Sequence, residues 1–472
     1  MIALGLSVAL GQAAAKRPNV LFIAIDDLND WVGCLGGHPQ VRTPNIDRLA
    51  RRGVLFSNAH CQAPTCNPSR VSLLTGVRPS TSGVYELNQP HHLSPVLKNA
   101  VTLPAQFKVG GYHVLGRGKI YHGRYEYPAD WHDFKTTGDA RNQQWRTKPV
   151  SSVPGIQVRD FGQIDLPEEK FTDLVNARWA AGQLKRDFGK PFFLAVGIRL
   201  PHVPLYAPRR FFERHPEQEV KLPAVREDDI ADLPPAGIEI TRYMYGTPMN
   251  HKSMQASGNW GNAVAAYLAC TEFVDHCVGV MLDALDASDH AKDTLVVLWS
   301  DHGWHLGEKQ HWHKSTLWEE STRVPLIICV PGGRPGECQQ PASLIDLYPT
   351  LAELCGVATD RKLDGVSLVA QLSNPQVKRK PVVVEFRKGN AAVRSEHWRF
   401  IRYADGSEEL YDHRQDPKEW VNLQGVSGYQ PVKIRLAKWL PKRWAEPALT
   451  KKAFVFDPEK FTWVNRKTGK KF

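Results

Sequence analysis

The 472-residue chain predicts an α/β fold with a mostly parallel central sheet, followed by a small α+β subdomain with an antiparallel sheet. Two observations carry this. From residue 19 to about residue 355, apolar runs of strand length alternate with helical patterns. After about residue 375 the texture changes to short alternating runs separated by turns. The expected division is a signal peptide at 1–15, a main domain at 16–375 and a C-terminal subdomain at 376–472.

Taken in order, the apolar stretch Ile2–Leu10 precedes Gly11-Gln12-Ala13-Ala14-Ala15, a small-x-small cleavage pattern, and reads as an export signal that lacks the usual basic start. The expected strands of the main sheet are Val20–Ile25, Tyr112–Leu115, Phe192–Val196, Thr294–Trp299 and Val324–Val330. Helical patterns cover Asn45–Arg52, Ser69–Thr75, Val264–Leu285 and Ile345–Leu354. Residues 125–165 and 200–260 are rich in Pro, Gly and polar residues, and read as long excursions that shape a cleft. Val382–Phe386, Ala392–Arg394, Trp398–Tyr403 and Glu409–Tyr411 form the antiparallel sheet, with a turn at Asp405-Gly406.

A hydrophobic content of 42% suffices for a large core. Lys and Arg exceed Asp and Glu by 60 to 49, so the fold concentrates anionic ligands, nucleic acid or sulfated polysaccharide. The basic residues are scattered, and Lys467–Lys471 reads as a solvated end, so no nucleic-acid partner is expected. No run after the signal reaches the about 20 apolar residues that cross a bilayer, so no transmembrane segment is expected. The eight cysteines do not make a disulfide framework. Cys270 and Cys277 lie on a helical apolar stripe and Cys329 in a strand-like run, all three as core thiols.

Ligands of an open parallel sheet bind beyond the carboxyl ends of its strands. Four expected strands run into polar groups there: Asp26-Asp27, Ser300-Asp301-His302, Gly118-Lys119 with His122, and Pro201-His202. Asp26, Asp27 and Asp301 repel one another unless a cation joins them, and calcium tolerates irregular oxygen ligation best. The plain alternative is that Asp26-Asp27 caps a helix. Cys66 lies before Pro68, the expected first helical position, so it stands at a helix start that favours an anion, with Arg70 close by. The residues alone leave Cys66 either a structural thiol or a thiolate nucleophile.

The run Cys66-Asn67-Pro68-Ser69-Arg70, continued by Leu73-Leu74-Thr75-Gly76, resembles the signature of type I sulfatases, in which a maturation enzyme oxidises the cysteine to formylglycine. Asp26-Asp27, Gly118-Lys119 with His122, Pro201-His202, Ser300-Asp301-His302-Gly303 and Lys314 occur in that family's order. The similarity runs from residue 18 to about residue 425 and is greatest to iduronate-2-sulfatase and its bacterial relatives. It implies an alkaline-phosphatase-like sandwich, a catalytic domain at 16–375, and hydrolysis of a sulfate monoester on a sulfated carbohydrate.

Carried over by residue, the resemblance implies one calcium ion held by Asp26, Asp27, Asp301, His302 and the modified Cys66. One hydroxyl of the hydrated aldehyde attacks sulfur and expels the sugar hydroxyl; the other then loses its proton and the sulfate is eliminated. Lys119 and Lys314 neutralise sulfate oxygens, His202 protonates the leaving alcohol, His122 bonds the diol and serves the elimination as base, and Arg70 orients the diol. Trp304, His305, Trp312 and His313 fit a sugar-binding surface or the core equally. The rival functions are a phosphatase or phosphodiesterase on the same fold and a sulfoglycan-binding pseudoenzyme.

Overall fold

The segment Asn19–Asp26 (β1) is buried along its whole length because both of its faces are covered. Leu21, Ile23 and Ile25 enter one apolar cluster, and Val20, Phe22 and Ala24 the other, as strand alternation requires. In the computed structural model, residues 17–123, 127–136, 149–156, 159–242, 247–359 and 361–450 are described, with the backbone alone at 454–457 and 462–465. The expected signal peptide, parts of the 125–165 and 200–260 excursions, and the basic tail lie outside the described residues.

The main sheet adds β2 (Val54–Phe56), β3 (His113–Gly118), β4 (Asp133–Lys135), β5 (Phe192–Pro201), β6 (Thr294–Ser300), β7 (Leu326–Cys329) and β8 (Gly336–Cys338), in the order β8-β2-β7-β6-β1-β5-β3-β4. β1 runs parallel to β5 and β6, and β3 parallel to β5 and β4. Only β7 opposes its neighbours, β6 and β2. The sheet is therefore mostly parallel, as expected. β7 is shorter than the expected run, and Cys329 at its end is half-buried rather than core.

The helices that cover the sheet are α1 (Pro44–Ala50), α2 (Cys66–Thr75), α3 (Leu103–Val109), α4 (Thr172–Gln183), α5 (Trp260–Asp286) and α6 (Leu347–Leu354). Leu174 and Ala177 of α4 and the inner side of α5 fill one face; Leu73, Phe107 and Leu351 from α2, α3 and α6 fill the other. Contrary to expectation, α5 is long and apolar enough to cross a bilayer, with a mean hydropathy of 1.3 over its best 18 residues. Because 89% of that window is packed inside the fold, it is a core helix, and Cys270 and Cys277 lie fully buried on it.

Four antiparallel strands follow: β9 (Val382–Phe386), β10 (Asn390–Arg394), β11 (Trp398–Arg402) and β12 (Glu408–Asp412). Gly406, at a φ of 87°, supplies the left-handed position in the turn between β11 and β12. Val383, Val393, Phe400 and Leu410 pack against Leu436 of α7 (Gln430–Ala437), while Val384, Ile401 and Tyr411 join the main core.

This second sheet grips the segment 308–323. Buried Arg399 on β11 donates to Leu317 O at 2.7 Å and Thr322 Oγ1 at 3.0 Å and pairs with Glu319 and Glu419. Trp318 Nε1 donates to Glu409 Oε2 at 2.7 Å, and Lys309 Nζ to Asp229 Oδ1 at 2.7 Å. Removing one member of such a buried network strands its partners in low dielectric, at a cost of about 3–5 kcal/mol. Urea unfolding of Arg399→Met should show a loss of that size; a change below about 1 kcal/mol would mean the network is dispensable.

Candidate functional site

Because β1 and β6 are adjacent and parallel, with Ile25 opposite Ser300, the residues that follow them emerge side by side. Ligand atoms of Asp26, Asp27, Cys66, Asp301 and His302 consequently lie within 4.8 Å of one another, and all five residues are buried. Asp27 adopts a φ of 62°, a strained conformation that Asp tolerates better than most residues. It is held there by its N–H, which donates to Asp301 Oδ1 at 3.1 Å, and by its carbonyl, which accepts from Tyr267 OH at 2.8 Å.

The helix bearing the cysteine starts at Cys66 itself, earlier than expected, with no side chain capping it. Pro68 is its third residue rather than its first, and its missing N–H is one of those that find no partner within a helix's first turn. Arg70, one turn on, is 1% exposed and fully committed. Its guanidinium donates to Asp301 Oδ2 at 2.9 Å, Asp26 Oδ1 at 3.1 Å, Ile120 O at 3.1 Å and Lys119 O at 2.5 Å. The structure thus places Arg70 behind the carboxylates, fixing them.

Lys119 and Lys314 reach the cysteine from two different chain segments. Lys119 follows β3 and pairs with Asp26, its ammonium 3.9 Å from Cys66 Sγ. A Cβ on Gly197 would lie 2.2 Å from the Lys119 backbone, so only glycine lets β5 approach so closely. Lys314 Nζ lies 2.6 Å from Asp27 Oδ1 and 3.0 Å from Cys66 Sγ, between His313 and Ser315, both at positive φ. His302 Nε2 stands 3.3 Å from Cys66 Sγ while Nδ1 faces Gly303 O at 3.0 Å. His202 Nδ1 faces Val203 O at 2.7 Å, and Nε2 lies 4.0 Å from Asp27 Oδ2. His122 and His202 both bond toward the cysteine sulfur.

All the sequence-derived site residues therefore converge. Sequence reasoning missed the supports. Ser69 Oγ donates to Asp301 O at 2.6 Å, Ser300 Oγ accepts from the Leu28 N–H at 2.9 Å, and Tyr267 anchors Asp27. The two serines lie inside the quoted motifs; no local signal marks Tyr267, which sits on α5. Trp304, His305, Trp312 and His313 are at most 1% exposed, so they are core and not a sugar surface.

Burial pushes Asp27 up to about 7 and Asp301 to about 6, against the pull of Lys314 and Arg70 respectively. Asp26 is also penalised by burial, but Lys119, His202 and Arg70 together outweigh this and hold its carboxyl well below the usual range. Cys66 behaves alike: burial opposes ionisation, while Lys119 and Lys314 hold the thiol well below its ordinary value. Burial disfavours protonated His302, yet Asp301, Cys66 and Asp27 together raise it to about 9. Burial, with Lys119 and Lys314, drives His202 down to about 3. Asp27 Oδ2 is buried with no hydrogen-bond partner. An orphaned carboxylate oxygen among three converging carboxylates fits a hard divalent cation.

The family model for sulfatases matches residues 18–357, and one described as N-sulphoglucosamine sulphohydrolase, C-terminal, matches 307–446. A sulfatase of Formosa agariphila is 37% identical over 91% of this chain and 88% of its own length. Mouse iduronate 2-sulfatase is 31% identical over 74% of this chain and 71% of its own. Among solved structures, a 2-O GAG sulfatase superposes with a TM-score of 0.68 at 24% identity, over 90% of this chain and 91% of the other. The phosphonate monoester hydrolase of Agrobacterium radiobacter does so with 0.73 at 23%, over 89% and 94%. At these identities the superpositions establish the alkaline-phosphatase-like fold alone.

Raised carboxyl groups set a pH dependence. An unfolded Asp titrates near about 3.9. Folded Asp27 and Asp301 hold their protons to about 7 and about 6, so their burial costs progressively more stability as pH rises across that window. A bound divalent cation cancels that cost and competes with those protons. The rise in Tm on adding calcium in place of a chelator should therefore be large above pH 7 and shrink as pH falls through about 7 and then about 6. Calorimetry at pH 5 and pH 8 checks it; an equal rise at both would contradict the assignment.

Proposed function

The chain belongs to the sulfatase family, and from that premise we propose that it hydrolyses a sulfate monoester on a sulfated carbohydrate, using formylglycine made from Cys66 and one calcium ion. The observation that carries the reading is the position of Cys66 Sγ, in one buried cluster with Asp26, Asp27, Asp301 and His302 and 3.0 Å from the Lys314 ammonium. The named relatives above include an iduronate 2-sulfatase, which supports a sulfated sugar as substrate.

Calcium, when bound by Asp26, Asp27, Asp301 and His302, polarises nucleophile and sulfate, and the oxidised Cys66 supplies two geminal oxygens, one to attack sulfur and one to release it. A serine or cysteine offers only one such atom. The remaining work belongs to this chain's own residues. Lys119 and Lys314 flank the reacting position and take up charge on the sulfate oxygens as the ester bond breaks. Arg70 keeps Asp26 and Asp301 from rotating away. His202 is neutral in the free enzyme; a bound sulfate anion beside it favours its protonation, after which it delivers that proton to the departing sugar oxygen. His122, also held neutral by burial, accepts the proton lost in sulfate release.

Cys66 is 1% exposed, so the maturation enzyme must reach it before the chain folds. Export through the segment 1–15 accords with a polysaccharide substrate outside the cell. A two-metal phosphoesterase is not favoured. Among the described residues, the other grouping of acids with histidine, Glu319, His413 and Glu419, is tied up with Arg394 and Arg399.

Peptide mass spectrometry of active protein should find aldehyde at position 66; full activity from an unmodified thiol would refute the mechanism. Cys66→Ser should lose steady-state turnover while retaining the fold. His202→Ala should cut kcat on a sugar sulfate by about 100- to 10,000-fold, and far less on nitrophenyl sulfate, whose leaving group needs no proton. Equal losses on the two substrates would remove His202 from that role.

A further inference from the structure

A cleft of about 270 Å³ opens beside the reacting position. Lys119, His122 and His202 line it, together with Thr136, Asn176 and Arg199. Five of these are polar groups suited to a sulfate or to sugar hydroxyls. Arg199 is different: it is a second fixed cation in a space that already holds Lys119, and the chemistry above gives it no task.

Its placement is built into the sheet. Ile198 and Leu200, its neighbours on β5, are both fully buried in the core, so strand alternation turns Arg199 to the other face, where it is half-buried. Asp173 at the start of α4 fixes its backbone: one carboxylate oxygen accepts the Arg199 N–H at 2.8 Å, the other the Leu200 N–H at 2.9 Å. The guanidinium thus stems from a rigid strand end, in the cleft that His202 also lines. A guanidinium presents a planar fork of donors that matches a carboxylate or sulfate with two parallel bonds.

We propose that Arg199 recognises a second anionic group, a carboxylate or another sulfate, on the same sugar that carries the sulfate to be removed. One sugar is the natural unit, because Arg199 and the catalytic histidines line a single cleft of about 270 Å³, small for any larger ligand. The inference rests on the sulfate-ester reading, and it makes Arg199 a specificity residue rather than a catalytic one.

The test compares Arg199→Ala and Arg199→Lys with the parent enzyme on three substrates: a 2-sulfated uronate, a disulfated hexosamine and neutral nitrophenyl sulfate. Arg199→Ala should raise KM about 10- to 100-fold on whichever acidic sugar the enzyme prefers, and change nitrophenyl sulfate less than about threefold. Arg199→Lys, which keeps charge but not the fork, should fall between. A selective loss on the uronate identifies a carboxylate, and one on the hexosamine a second sulfate. Equal losses on all three substrates, or none on either acidic sugar, would overturn the proposal. Calorimetric binding of the corresponding desulfated acidic sugars reads the same site without turnover. Should no sulfate ester be cleaved at all, weakened binding by Arg199→Ala still supports the anion site, and unchanged binding still rejects it.

Discussion

Three carboxylates and a thiol have been brought out of water into one place, and the rest of the molecule is arranged to make that tolerable. Asp26, Asp27 and Asp301 are each wholly buried, and like charges at such separations repel strongly in low dielectric. Arg70, Lys119 and Lys314 oppose that repulsion, each paired with a specific member of the cluster. The same arrangement that makes the cluster costly would favour a divalent cation between the carboxylates and, in the proposed reaction, a sulfate ester anion beside the two lysines.

Each counter-charge comes from a different part of the chain, so the site depends on how those parts are held. Arg70 rides on α2, whose ten residues are all buried. Lys119 depends on two glycines, 118 and 197, where the ends of β3 and β5 come so close that neither position has room for a Cβ. Lys314 depends on the segment 308–323, and that segment is gripped by Arg399, Glu409 and Glu419 from the C-terminal sheet and the residues just after it. The small second sheet therefore supports the site without touching it, by fixing the backbone from which one ammonium reaches Cys66.

The neutral histidines belong to the same logic. Burial, with Lys119 and Lys314 beside it, disfavours the protonated form of His202, so in the proposed mechanism its protonation waits for a bound anion. Arg199 adds a demand on that substrate, placed on the same strand end that leads to Pro201 and His202. In the proposed chemistry, selectivity and proton delivery then meet at one strand end.

The sequence by itself determined the five longest strands of the main sheet, the second sheet and the residues at strand ends, but not the three-residue strands β2, β4 and β8 or the helices α3 and α4. Uninterrupted apolar runs such as Val20–Ile25 have few alternatives to a strand buried on both faces, and polar groups at their ends mark where ligands go. It also singled out Cys66, but spacing alone left that thiol inert or reactive. Only the tertiary structure decided this environment, because the pairings concerned join residues 26, 66, 119, 301 and 314, and no local pattern encodes contacts across such separations. It also decided that Trp304 and Trp312 are core, that α5 is an internal helix despite its membrane-like composition, and that Arg70 stands behind the carboxylates. Burial is set by what packs from elsewhere in the chain, and that is the information a linear pattern does not carry.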